Sequence, residues 1–227
     1  MIDDAYIKTL NERTKNNMNE FYFMNMLVRI HDPLPSHISL EDVMYEIETK
    51  VPKKYFKHIK SIDIGDFEFL NKREINAAYA NDKIYISNKQ EDEIDIADDV
   101  VHEVAHSVDE YNSELIYSDG LLRAEFLSKR KKLHALLMAY EFKVSEEEFM
   151  NPEYSQNFDA YLYHDIGYKL LTSIAGNLFY SPYAATSLKE YFANGFEAFY
   201  YHREFDKLAL ISPVLFDKLM KLNYNKE

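Results

Sequence analysis

The residues best equipped for chemistry lie in the run Val101-His102-Glu103-Val104-Ala105-His106. Two histidines four positions apart on a helix project from one face, and their rings come close enough to grip a single cation. The glutamate beside the first is placed to take a proton from a water that such a cation activates. This HExxH arrangement points to metal-assisted hydrolysis. Its flanks fit the same reading, because Ala97, Val101, Val104, Ala105 and Val108 make an apolar helix. Histidines on such a helix are partly buried and need partners for their ring nitrogens, which a metal ion supplies.

A hydrolytic zinc site takes three protein ligands and keeps a fourth position open. The chain has no cysteine, so the third ligand must be Asp, Glu or His. The extended motif that adds a third histidine would need Gly at 109 and His at 112, where this chain has Asp109 and Asn112. A better source is Ser187 to Glu197, which opens with a cap residue and lines up Glu190, Asn194 and Glu197 on one helical face amid aromatics. A carboxylate there is poised to meet the histidine helix. His31, His37, His58, His134, His164 and His202 have no ligand spacing and read as ordinary histidines.

Composition removes most other classes. Without cysteine there are no disulfides, thiolate metal knuckles, iron–sulfur clusters or thiol nucleophile. Five glycines in 227 residues leave no Gly-rich phosphate loop. The net charge of −13 repels phosphate backbones, and the one dense basic run, Lys129 to Lys132, reads as the solvated face of a helix, so no nucleic-acid partner is expected. Nowhere are there about 18 consecutive apolar residues, so no membrane span is expected. Met1-Ile2-Asp3-Asp4 has neither a cationic start nor an apolar core, so no secretory signal is expected. That places the chain in the cytoplasm or on a particle, unless a leader has been removed.

The elements that must position the motif follow from periodicity. Ile7, Leu10, Phe21, Met24, Leu27 and Ile30 recur at helical spacing, and a capping box at Ser39 and Asp42 opens a second helix that stops at Pro52. Residues 1–58 are therefore expected to be helical. Between 60 and 88 the texture turns to strands, in Ile62-Asp63-Ile64, Phe67-Glu68-Phe69 and a hairpin over Ala77 to Ser87 turning at Asn81-Asp82. This predicts a small antiparallel sheet ahead of the motif. Helices are expected over Asp95 to Tyr111 and near 121–143, 157–179, 188–204 and 213–223, with loops at 112–119 and 146–156. The fold class is α+β, mostly helical, in one domain spanning 1–227 with its catalytic helices from 95 onward.

The motif residues also carry a resemblance. His102-Glu103-Val104-Ala105-His106-Ser107-Val108-Asp109-Glu110-Tyr111, then Tyr183, six intervening residues, and the run from Glu190 to Tyr201 resemble the anthrax lethal factor and Pro-Pro endopeptidase family of zinc metallopeptidases. The likeness covers those two blocks and, more loosely, the strand-then-helix order from 83 onward. It implies a zincin-like domain with one zinc per chain held by His102, His106 and Glu190. It further implies Glu103 as general base and Tyr183 as the hydroxyl that stabilises the oxyanion. Asp109 stands where the family has an aspartate, whereas Asn194 stands where an acidic residue is common, so both fall among the groups that would orient the ligands, with Glu197 beside them. By analogy with zinc peptidases of this design, Ile84, Tyr85 and Ile86 would form an edge strand that pairs with an extended substrate.

The expected function is thus a zinc-dependent endopeptidase acting on protein or peptide substrates. The competing reading is a catalytically silent domain of the same fold, partner- or particle-associated, whose metal is absent or serves only as a staple.

Overall fold

The structure, a computed structural model, describes residues 19–224. Ile7 and Leu10, assigned above to an opening helix, lie outside them. The fold is α+β and mostly helical, with one five-stranded mixed sheet. By internal contacts the chain divides into two compact units, Met1–Ser107 and Val108–Glu227, and the division falls within one helix.

The first unit opens with a hairpin of β1 (Glu20–Phe23) and β2 (Met26–Ile30), where a helix was expected. Met24 and Asn25 both take left-handed backbone, φ 48° and 74°, which makes the two-residue turn whose twist suits paired strands. Phe21, Met24 and Leu27 match a helical period by coincidence. Burial follows the strand period instead, with Phe23, Met26 and Val28 buried and Tyr22 exposed. Next comes α1 (Leu40–Lys50), which starts as the sequence indicates: the Ser39 side chain accepts a hydrogen bond from the Asp42 N–H at 3.3 Å. It buries Val43, Met44 and Ile47 and leads to β3 (Ser61–Gly65), parallel to β2.

Phe67-Glu68-Phe69, expected as strand, instead opens α2 (Glu68–Arg73). Glu68 and Lys72 pair at 2.7 Å one turn apart, Leu70 is buried, and Glu74 stops the helix in the left-handed region at φ 54°. The hairpin of β4 (Ala77–Ala80) and β5 (Lys83–Ser87) turns at Asn81 and Asp82, φ 54° and 61°, as its sequence requires. Strand order is β1-β2-β3-β5-β4. The sheet is mixed, not antiparallel, because β2, β3 and β5 run parallel through crossovers that carry helices.

The same order corrects the proposed docking strand. β5 is paired with β3 on one side and β4 on the other, so Ile84, Tyr85 and Ile86 lie on no edge and their backbone groups are already used. Ile84 and Ile86 join Val28, Ile62 and Ile64 in a fully buried apolar face.

The opposite face carries a polar row in which Arg29, Asp63 and Tyr85 stand in register. Asp63 is buried and accepts from Ser61 Oγ at 2.7 Å and Arg29 Nη1 at 3.3 Å, with His31 Nε2 at 2.8 Å. Burial pushes its carboxyl up, but the bonds to His31, Ser61 and Arg29 together outweigh it and hold the group below the ordinary 3.8. A carboxylate of depressed pKa stabilises the fold above its unfolded value and stops doing so as pH falls through the folded one. Asp63→Asn is therefore expected to cost about 1–2 kcal/mol at pH 7. It should also flatten the loss of stability below about pH 4. Urea unfolding of both proteins from pH 7 to pH 3 tests this, and parallel profiles would remove Asp63 as the cause.

The second unit is helical. Its elements after the shared helix α3 (Glu93–Tyr111) are α4 (Ser113–Tyr117), α5 (Leu121–Ala139), α6 (Glu146–Met150), α7 (Gln156–Ala160), α8 (Tyr168–Ala175), α9 (Leu188–Phe196), α10 (Phe205–Ile211) and α11 (Pro213–Tyr224). π-helical turns extend α7 through Tyr161–Ile166 and α9 through Glu197–Tyr201. Two segments expected as loops thus contain α4 and α6. Gly195 permits close approach of α9 and α11, since a Cβ there would lie 2.3 Å from Leu215 Cδ2.

The basic run on α5 is solvated only in its second half, where Lys131 and Lys132 are exposed, and its first half needs correction. Lys129 and Arg130 are 7% and 1% exposed. Lys129 Nζ donates to the carbonyls of Leu178 and Ile211 and to Ser212 Oγ, and burial lowers its pKa to about 8. No helix among the described residues is long and apolar enough to cross a membrane.

Candidate metal centre

Helix α3 carries the motif. Its start is fixed by Asp92, whose carboxylate accepts from the N–H groups of Ile94 and Asp95 at 2.8 and 3.0 Å, satisfying donors that the first turn leaves open. Ile96, Ala97, Val100, Val101, Val104, Ala105 and Val108 are all at most 3% exposed, so the helix is anchored along the stripe its sequence marks as apolar. His102 and His106 stand one turn apart on the remaining side, half-buried, with ring centroids 4.9 Å apart at 78°. Glu103 is buried at 6% exposure.

Glu190 lies in the first turn of α9. The cap is Ser187, in extended backbone, whose side chain accepts from the Glu190 N–H at 3.1 Å. Among the described residues His102, His106 and Glu190 form one group in which each offers a ligand atom, and those atoms all lie within 4.8 Å of one another. Glu197 and Asp109 are not in it.

Tyr183 opens a single 3₁₀ turn, Tyr183–Ala185, just before α9. Thr186 fixes the turn twice, donating to the Tyr183 carbonyl from its N–H at 2.9 Å and from Oγ1 at 2.8 Å. Burial, and after it the charge of Glu190, push the Tyr183 hydroxyl well above its ordinary 10. The hydroxyl therefore keeps its proton at neutral pH and remains a donor.

The three residues expected to orient the site differ in what they do. Asn194, 5% exposed, accepts the Ser181 hydroxyl, and Ser181 Oγ in turn accepts the Ala184 N–H at 3.3 Å. It thereby ties α9 to the turn that carries Tyr183, a task an amide oxygen performs without adding charge. Asp109, 3% exposed, accepts the Tyr117 hydroxyl and has Lys189 Nζ 3.9 Å away, which links the end of α3 to α4 and to the residue before Glu190. Burial and the Asp109 charge push the Tyr117 hydroxyl up as well. Glu197 caps α9 at its far end, and its carbonyl accepts the His202 N–H at 3.0 Å.

Two features escaped the sequence reading. Lys129 and Arg130 fall three and four residues after Phe126 and precede Leu133, inside the buried stripe Leu122, Phe126, Leu133, Leu137. That periodicity was the available signal. Asp159 accepts from the hydroxyls of Tyr154 at 2.9 Å and Tyr168 at 3.4 Å, and its charge also reaches Tyr183. Nothing in the spacing of those tyrosines marks them out. The chain matches no protein-family model, no curated protein and no solved structure.

Proposed function

We propose that the chain is a zinc-dependent endopeptidase. The observation that carries this reading is the approach of two imidazoles and one carboxylate to within 4.8 Å of one another around the HExxH sequence. Two neutral ring nitrogens and one carboxylate oxygen are the donor set of a hydrolytic zinc site, which suits a borderline ion over magnesium or calcium. A zinc ion held there by His102, His106 and Glu190 would supply an acidified water and a polarised carbonyl.

The chain's own residues supply the rest. Glu103, buried beside the first histidine, accepts the proton from the attacking water and returns it to the leaving amine. Tyr183, held neutral, donates a hydrogen bond that strengthens as negative charge gathers on the former carbonyl oxygen. Asn194 and Thr186 hold the turn that aims this hydroxyl. The substrate is a protein or peptide chain in this reading, which also draws on the resemblance of the two motif blocks.

The test joins metal analysis to cleavage of a peptide library. Purified protein is expected to carry one zinc and to cut at peptide bonds, with both lost to a chelator. Iron or copper at full occupancy without zinc would remove the metal assignment. Bound zinc with no hydrolysis of native or denatured protein would favour the structural staple.

A further inference from the structure

Arg130 is among the most deeply buried side chains of the second unit, yet among the described residues it pairs with no carboxylate. Nε donates to the Phe149 carbonyl at 3.0 Å. Nη1 donates to Ala185 and Thr186 at 2.6 and 3.2 Å, and Nη2 to Glu148 and Asn151 at 2.7 and 3.3 Å. The five N–H groups of a guanidinium are thus all spent on five backbone carbonyls. Phe158 covers the guanidinium carbon at 3.9 Å, with Phe126 and Phe149 at 5.4 Å.

Burying a cation without a counter-charge is costly, and an apolar side chain on α5 would fill the same stripe with no such cost. What the guanidinium adds is a joint between two stretches of backbone far apart in sequence, the C-terminal end of α6 and the end of the Tyr183 turn. One is 148–151, and the other is 185–186, the two residues that lead from the turn of Tyr183 to the cap of Glu190. A further bond, from the Leu188 N–H to the Pro152 carbonyl at 2.8 Å, closes the same seam. A short 3₁₀ turn followed by a new helix has few bonds of its own to fix the distance between its first residue and that helix's first turn. Here the fixing comes from the side.

We propose that Arg130 is a positioning residue that sets the hydroxyl of Tyr183 relative to the carboxylate of Glu190, by clamping the carbonyls of Ala185 and Thr186 to the C-terminal end of α6 at 148–151. The catalytic part of this inference rests on the peptidase reading, whereas the clamp does not. Arg130→Lys keeps a positive charge but offers at most three donors and no planar fork, so it cannot serve both stretches together.

Hydrogen exchange followed by mass spectrometry reads the clamp without reference to activity. In Arg130→Lys the segment 181–190 is expected to exchange about tenfold faster, with 121–139 and 213–224 within about twofold of the parent. In the peptidase assay kcat should fall about tenfold with KM within about twofold, the mark of an interaction made only in the transition state. Unchanged exchange at 181–190, or acceleration spread over the whole unit, would overturn the clamp. Local acceleration with a parental kcat would overturn its link to Tyr183. If the parent protein cleaves nothing, the peptidase reading fails and the exchange result alone decides the clamp. Should Arg130→Lys not fold, Phe158→Leu removes the ring at 3.9 Å and leaves every donor in place. It is then expected to speed exchange in 181–190 alone, and no change there would equally overturn the proposal.

Discussion

Glu103→Ala is expected to abolish hydrolysis while leaving zinc bound. The residue follows His102 directly, so its side chain leaves the helix about 100° around from the ring and stands beside the ligand group without entering it. Its work is to receive a proton in the transition state and give it back. Removal of such a group costs about 10²- to 10⁴-fold in kcat. That equals about 3–5 kcal/mol of transition-state stabilisation. The metal should be untouched, because both imidazoles and Glu190 remain and alanine is the best helix former at that position. Metal content and kcat measured on one preparation separate the outcomes. If the variant lost zinc, Glu103 would be a ligand and the assignment of roles would fail.

The motif was legible because its chemistry is local. Residues four apart on a helix are neighbours whatever the rest of the chain does, and the apolar flanks Val101, Val104, Ala105 and Val108 guarantee the helix. The cap at Ser39 and the turn at Asn81-Asp82 were readable for the same reason. What failed depended on partners distant in sequence. Residues 20–30 satisfy a helical period and a strand period at once, and the choice falls to β3, which pairs with β2 from more than thirty residues away. Whether β5 is an edge depends on β3 and β4 both reaching it, which alternation within Lys83–Ser87 cannot encode. Lys129 and Arg130 look solvated by charge alone and buried by periodicity. Burial wins because carbonyls at 148, 149, 151, 178, 185, 186 and 211 wait for them. A guanidinium that answers main-chain carbonyls leaves no acidic partner in the sequence to betray it.

Glu190→Ala is expected to weaken zinc binding far more than Glu197→Ala. Seven residues separate the two carboxylates, about 10 Å along a helix axis, so both cannot reach one ion at the roughly 2 Å ligand distance. The structure puts only Glu190 in the group with His102 and His106. Glu190 also has the better seat, since Ser187 fixes its backbone at 3.1 Å in the first turn of α9. Loss of a group that merely orients a ligand costs about 10- to 100-fold in metal affinity, and loss of a ligand itself should exceed that. Glu197 instead ends α9 and opens the π turn, and the bond its carbonyl accepts from His202 comes from the backbone, which alanine retains. Its replacement should therefore leave affinity within about tenfold, with any loss traced to packing. Titration against a competing chelator gives both numbers. The reverse order would move the third ligand to Glu197, seven residues further from Tyr183, and would break the pairing of hydroxyl and carboxylate on which the proposed chemistry depends.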